Sequence, residues 1–301
     1  MAPATRGEDG SPARAAAQVA GIVNAMTVDV EDYFHVQAFA PFIRPEDWDG
    51  MPSRVDGSTR GLLDIFGATG VRATFFVLGW VAERFPQLVR DIADQGHEVA
   101  SHGWRHVQVF RQTPEAFRED VRRTRALLED LSGAPVTGYR AATFSIGRQT
   151  PWAHAVLREE GYRYSSSVYP IRHDLYGMPE APRFAFAPCG NDGVVEVPIT
   201  TIRALGRKLP CGGGGYFRLL PYAVSRAAMR RVNRHDGQPC IFYCHPWEID
   251  PDQPRQRRAG TRATFRHYVN LHRMADRLRA LARDFPWDRM DRAFAAQIDG
   301  A

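Results

Sequence analysis

Residues 73–106 read ATFFVLGWVAERFPQLVRDIADQGHEVASHGWRH, and three local patterns follow one another along them. ATFFVLG (73–79) is aromatic and β-branched, the composition of a buried strand. Residues 85–95 form a helix pattern closed by Gly96, because glycine takes at little cost the left-handed conformation in which helices end. HEVAS (97–101) is again a strand, and polarity then arrives at once with His102, Gly103, Trp104, Arg105 and His106. Strand, helix, strand, polar loop is the unit from which the rest of the chain is read.

The same alternation extends in both directions. Strands are expected over 22–30, 136–141, 162–167, 194–198 and 239–244. Helices are expected over 58–68 with Ser58 as cap, 113–131, 151–160 and 221–233, with a terminal helix over about 261–283. The helix at 113 opens Thr-Pro-Glu, with Thr113 at the cap and Pro114 at the first helical position. Strands alternating with helices imply a mainly parallel sheet in an α/β fold. Period alone leaves open whether the sheet closes into a barrel or is doubly wound, but either way reactive side chains are expected at the carboxyl ends of the strands.

The totals suit one sizeable domain. The chain has 301 residues, 44% of them hydrophobic and 24% charged, with a formal net charge of +5. The basic residues are nearly all arginine and lie among acids, which reads as a mixed-charge surface or as a patch that attracts an anionic polymer. Cys189, Cys211, Cys240 and Cys244 form no C-x-x-C pair, so a zinc ribbon or redox motif is not expected and buried thiols are. No apolar run approaches the roughly 18 residues that cross a bilayer. Residues 1–20 are rich in Ala, Gly, Pro and Arg without a continuous apolar core. They read as a flexible leader rather than a secretory signal, and the expected location is the cytoplasm, with membrane association only through partners. Residues 21–301 are expected to be a single domain.

Four polar clusters each follow an expected strand: T-V-D-V-E-D-Y-F with Asp29, Glu31 and Asp32; S-H-G-W-R-H with His102 and His106; G-Y-R-A with Arg140; and F-Y-C-H-P-W-E with His245 and Glu248. Two imidazoles on one tight loop can take adjacent positions on a borderline metal ion such as zinc. Three carboxylates within four residues repel one another if buried, unless a cation or a raised pKa relieves them; a solvated acidic turn is the plainer alternative. One carboxylate with His102 and His106 gives two nitrogens and an oxygen, leaving a position for water and substrate, while a second carboxylate could take a proton from that water. Arg140 can hold a carboxylate through two parallel bonds, or be an ordinary ion pair. His245 is either a core histidine or a proton donor at the mouth of the sheet. Each cluster alone has a bland explanation; four at successive strand ends point to one site.

These residues resemble the polysaccharide deacetylases with a NodB homology domain, carbohydrate esterase family 4, over about residues 26–248. The stretch 73–106 carries the resemblance most specifically, with its T-F-F strand, helix, G-H-E-V and H-x-x-x-H. The D-V-E-D-Y-F opening and H-P-W-E look closer to a subgroup associated with exopolysaccharide and exosortase gene clusters, whose C-terminal extension would correspond to about residues 246–301. The resemblance implies a deformed (β/α) barrel with fewer than eight barrel strands, and an enzyme that removes N-acetyl groups from a polysaccharide or glycan. It implies one divalent metal ion, zinc first, held by His102 and His106. It implies Asp29 as catalytic base, Arg140 steadying that base, and His245 as the acid that protonates the sugar amine. The family opening has two adjacent aspartates, whereas Val30 follows Asp29 here. The metal carboxylate is Glu31 by direct register or Asp32 if the strand bulges. R-A-A-T-F likewise departs from the proline that usually follows the arginine motif.

Trp104 and Trp247, which adjoin motif histidines, are the aromatic rings expected to stack on sugar. The run Gly212 to Gly215 lacks the G-K-[ST] of a phosphate loop and is expected to be a flexible turn near the site entrance. Other readings are an amidohydrolase acting on a small amide or a peptidoglycan fragment, and an inactive carbohydrate-binding scaffold. No motif supports a nucleic-acid partner, and oligomeric state is not legible.

Overall fold

The computed structural model describes residues 21–300 except 174–175, 191–192, 205 and 257–258; the leader expected over 1–20 lies outside the described residues. Its frame is a curled, incomplete parallel sheet. In chain order the strands are β1 (Asn24–Val30), β2 (Thr74–Val77), β3 (Glu98–Ser101), β4 (Gly138–Tyr139), β5 (Tyr164–Ser165), β6 (Val195–Glu196), β7 (Thr201–Ala204), β8 (Arg207–Pro210), β9 (Ile241–Cys244) and β10 (Trp287–Asp288). β1 to β6 lie side by side in order, and β9 pairs with the other edge of β1. β10 pairs with the first two residues of β1, Asn24 opposite Trp287 and Ala25 opposite Asp288. β7 and β8 form a separate antiparallel hairpin. The sheet is therefore a half-barrel, the deformed barrel expected for the NodB type.

Helices cover it. Those of six residues or more are α1 (Val55–Thr69), α2 (Gly79–Arg84), α3 (Pro86–Asp94), α4 (Pro114–Ser132), α5 (Ala153–Glu159), α6 (Gly214–Leu219), α7 (Tyr222–Arg231), α8 (Thr261–Tyr268) and α9 (Met274–Asp284). In α4, Phe117, Val121, Thr124, Leu128 and Leu131 recur at helical spacing and are all buried. Each large apolar member contributes roughly 1.5–3 kcal/mol by leaving water. Thr113 caps this helix through its hydroxyl oxygen, which accepts the Ala116 N–H at 3.2 Å. One apolar core runs from Met26 and Phe75 through Phe117 to Phe242 and Trp287, so early and late parts of the chain share it.

Two local expectations change, and one strand is new. The first helix starts at Val55, and Ser58 lies inside it. Its cap comes from a distant segment: Asp32 Oδ2 accepts the N–H groups of Arg54 at 2.8 Å and Val55 at 3.1 Å. The terminal helix breaks in two because Asn270 adopts φ +53°, and its side-chain amide donates to the Arg218 carbonyl at 2.9 Å. β10, too short for a period-2 signal, was not legible. No helix among the described residues is long and apolar enough to cross a membrane.

Candidate metal and acid–base site

Alternate residues of a strand share a face, so Thr27 and Asp29 of β1, and Glu31 just beyond it, point the same way. Arg140, at the end of β4, reaches across to them. Its Nη1 donates to Asp29 Oδ1 at 2.6 Å and to Thr27 Oγ1 at 2.9 Å, while Nε and Nη2 donate to the carbonyl and hydroxyl oxygens of Ser166. Both Arg140 and Asp29 are buried, so each neutralises a charge that would otherwise be costly there.

His102 leaves the end of β3. Its backbone N–H donates to the Val77 carbonyl at 3.0 Å, and its Nδ1 lies 2.8 Å from the Arg140 carbonyl oxygen. A carbonyl can only accept, so Nδ1 carries the proton and Nε2 presents a lone pair to the site. Burial holds this imidazole's pKa down to about 4, which keeps it in the neutral, ligating form. The loop to His106 is tightly fixed. Gly103 has φ +74°, where a Cβ would sit 2.9 Å from Asp120 Oδ1, and the Trp104 N–H donates to both Asp120 oxygens at 3.1 Å. His106 itself adopts φ +53°, a conformation costing on the order of 1 kcal/mol for a non-glycine residue.

That turn sets His106 Nε2 3.0 Å from Glu31 Oε2. One ligand atom each from Glu31, His102 and His106 lie within 4.8 Å of one another. Glu31 Oε2 is buried and makes no hydrogen bond, an arrangement that a shared cation would satisfy. Burial pushes the Glu31 carboxyl up, but the imidazoles of His106, His245 and His102 outweigh it and hold the group well below the usual carboxylate range. Two imidazole nitrogens and one carboxylate oxygen form a donor set suited to zinc with an open position. Asp32 is not part of it. Its carboxylate faces away and accepts from Ser53 Oγ at 2.6 Å and from the N–H groups of Tyr33, Arg54 and Val55. Of the two alternatives, the strand runs without a bulge and brings Glu31 to the histidines.

His245 ends β9 and enters from the other side. Nε2 lies 3.2 Å from Glu31 Oε1 and 3.9 Å from Asp29 Oδ2, and Nδ1 lies 2.8 Å from Glu248 Oε1. Burial pushes its pKa down, but Glu31, Glu248 and Asp29 outweigh that and raise it to about 9. Glu248 is held in turn by Arg218 Nε at 2.6 Å. The glycine run serves this pair. A Cβ on Gly214 would lie 2.2 Å from Glu248 Oε1, and the Tyr243 N–H donates to the Gly212 carbonyl at 2.8 Å. The run is thus a packed seat for β9 and Glu248, not the flexible turn expected.

The cavity over these groups has a volume of about 160 Å³ and is also lined by Thr143, Phe144, Tyr176, Tyr243 and Trp247. Thr143 and Phe144 take φ of +56° and +48°; nothing in R-A-A-T-F signalled that. Neither tryptophan stands as a free stacking face. Trp104 lies over Gly79, with the Arg123 guanidinium 3.4 Å from its ring centre, and does not line the cavity. Trp247 lines it, but both faces are covered, by His245 at 5.0 Å and by His267 at 4.2 Å.

The parallel half-barrel thus carries a two-histidine, one-carboxylate cluster beside an Asp–Arg pair and a further imidazole, a donor set and acid–base pair of the kind that metal-dependent hydrolysis uses. Comparison with known proteins shows what parts of the chain are similar to. Residues 48–165 match the family model for polysaccharide deacetylase, and residues 166–295 match one described as a domain of unknown function, DUF3473. The deacetylase match covers less than half of the chain, and over those residues the chain is similar to polysaccharide deacetylases. It is 34% identical over 101 residues to the peptidoglycan-N-acetylglucosamine deacetylase PgdA of Listeria monocytogenes, covering 34% of this chain and 21% of that protein. It is 33% identical over 145 residues to the chitooligosaccharide deacetylase of Rhizobium leguminosarum, covering 48% of this chain and 60% of that protein. The chain thus spans less than two thirds of the length of each of these relatives. A crystal structure from Mycobacterium smegmatis, described as a candidate polysaccharide deacetylase, superposes with a TM-score of 0.59 over 92% of this chain and 90% of that one at 20% identity, which shows the fold. His102, His106 and Arg140 fall inside the deacetylase match; Asp29 and Glu31 precede it and His245 lies in the second match. The sheet brings all three groups together.

Proposed function

We propose that the protein is a metal-dependent N-deacetylase that hydrolyses the acetamide of an N-acetylated glycan, with zinc as its ion and exopolysaccharide synthesis as its setting. The observation that carries the reading is the convergence of Glu31, His102 and His106 within 4.8 Å beside Asp29. A divalent ion held by those three residues would supply Lewis-acid polarisation of the acetamide carbonyl and bring a water's pKa to about 7.

The chain's own groups do the rest. Asp29, fixed by Arg140 at one oxygen, has its other oxygen towards His245 and the cavity, placed to take a proton from the attacking water. His245, held at Nδ1 by Glu248, directs Nε2 into the same space and is placed to protonate the departing nitrogen. Acetate and a free amine result. The exopolysaccharide setting draws its support from the D-V-E-D-Y-F and H-P-W-E segments; the likeness to the Listeria protein supports a peptidoglycan strand as the second reading.

The test is acetate release from chitin oligomers, peptidoglycan and an N-acetylated exopolysaccharide, with and without a chelator, alongside metal content. Release that stops on chelation and returns with zinc supports the reading. No release from any of the three, at full metal content, would end it.

A further inference from the structure

Ser165, Ser166 and Ser167 follow one another from the last residue of β5, and Glu196 stands opposite Ser165 on β6. All four are buried. A buried carboxylate needs partners, and Glu196 has them on both oxygens. Oε1 accepts the backbone N–H groups of Ser167 and Val168 at 2.8 Å each. Oε2 lies 2.9 Å from Nε2 of His154, itself buried on α5. The mechanism above uses none of these groups.

The Ser166 carbonyl and the Ser167 N–H belong to one peptide unit, which is planar and points the two groups in opposite directions. The N–H goes to Glu196, and the carbonyl accepts from Arg140 Nε at 3.2 Å. The Ser166 hydroxyl oxygen accepts from Arg140 Nη2 at 3.0 Å, and Nη1 of the same guanidinium holds Asp29 Oδ1. Glu196 therefore grips one end of the plane whose other end aims the guanidinium at Asp29. Turning that plane breaks both bonds together, and each bond polarises the peptide group in favour of the other.

The same carboxylate reaches the cavity wall. Ser167, held by Glu196 at its N–H, accepts the Ala141 N–H at its hydroxyl oxygen at 2.9 Å, and Ser165 donates to that oxygen at 2.8 Å. Ala141 leads into the turn where Thr143 and Phe144 take positive φ, and all three line the catalytic cavity. A backbone held in so sparsely populated a conformation persists only where its surroundings over-determine it.

We propose that Glu196 is a positioning residue for Asp29, acting through the Ser166–Ser167 peptide and Arg140 to set the direction of the base. The task of the base rests on the deacetylase reading; the placement of Arg140 does not. Glu196 and Ser166 lie in the stretch matched to the domain of unknown function, and Arg140 lies in the deacetylase match. The first stretch thus holds the second in working geometry.

The experiment uses the zinc-loaded full chain with Glu196→Asp and Glu196→Gln. Aspartate keeps the charge but draws the oxygens back by one methylene; glutamine keeps the length and an acceptor oxygen but removes the charge. Two quantities are read: kcat and KM for acetate release from chitin oligomers, and the exchange rate with water of the Arg140 Nε–H by nuclear magnetic resonance, its signal assigned by loss in Arg140→Lys. Glu196→Asp is expected to cut kcat by about tenfold to 10²-fold at unchanged KM and metal content, and to speed the Nε–H exchange by about tenfold. Glu196→Gln should restore most of both. Native kcat and native exchange in a folded Glu196→Asp protein overturn the proposal. So does an equal loss in the two variants, because the effect would then belong to the charge and not to placement. If the native protein releases no acetate, the deacetylase reading falls, and the exchange rate alone decides whether Glu196 places Arg140.

Discussion

Arg140 Nη1 donates to Asp29 Oδ1 at 2.6 Å, and Arg140 is wholly withdrawn from solvent. Removing one partner of a buried pair strands the other charge. Arg140→Ala is therefore expected to cost about 3–5 kcal/mol of stability, measured by chemical denaturation, as well as most activity. Asp29→Asn keeps an acceptor for the guanidinium, so its fold should survive while turnover falls by about 10²- to 10⁴-fold. Equal destabilisation by both substitutions would count against a catalytic part for Asp29.

His102 presents Nε2 because its Nδ1 is committed to the Arg140 carbonyl. His102→Ala and Glu31→Gln should each abolish stoichiometric metal binding, read by elemental analysis, and activity with it. Asp32→Asn should not lose metal, since Asp32 caps α1 instead. It should lower the melting temperature, because a lost cap costs about 1 kcal/mol.

His245 has its pKa raised to about 9 from 6.5, because Glu31, Glu248 and Asp29 outweigh the cost of burial. A raised pKa in the folded state means the stabilisation is fully present below about pH 6.5 and is lost as pH rises through 9. The metal-free protein should therefore lose stability between those values, and His245→Gln should flatten that part of the profile. Nuclear magnetic resonance titration of the imidazole in metal-free protein gives the pKa directly; a value near 6.5 would contradict the geometry.

Gly214 leaves room for the Glu248 carboxylate and nothing more, since a Cβ there would lie 2.2 Å from Oε1. Gly214→Ala should cost roughly 1–3 kcal/mol through overpacking and lower kcat more than it raises KM, because it displaces the partner of His245 rather than a substrate contact. Steady-state kinetics beside a melting curve would show whether the two effects separate.

Much of this was legible. The H-x-x-x-H loop, the acid-rich strand end, Arg140 and His245 each carry side-chain chemistry in a local pattern, and the alternation of strand and helix places them on one edge of a parallel sheet. Other features depend on partners far away in sequence. Asp32 looks like a ligand until its carboxylate is seen accepting from residues 53–55. Trp104 and Trp247 adjoin histidines, but adjacency says nothing about which ring faces are covered. The glycine run looked loose because its tightness comes from Glu248 and β9. The break at Asn270 follows from carbonyls that Arg218, some fifty residues earlier, claims for itself.

The pairing of Asn24 with Trp287 has a bearing on how the chain matures on the ribosome. The strand that bears Asp29 is translated about 260 residues ahead of the segment that completes one of its edges. At about 5–20 residues per second, that edge stays open for tens of seconds while the rest is made. A nascent chain of this protein is thus expected to bind a chaperone through its opening strand, and to release it only once the segment around Trp287 has cleared the exit tunnel.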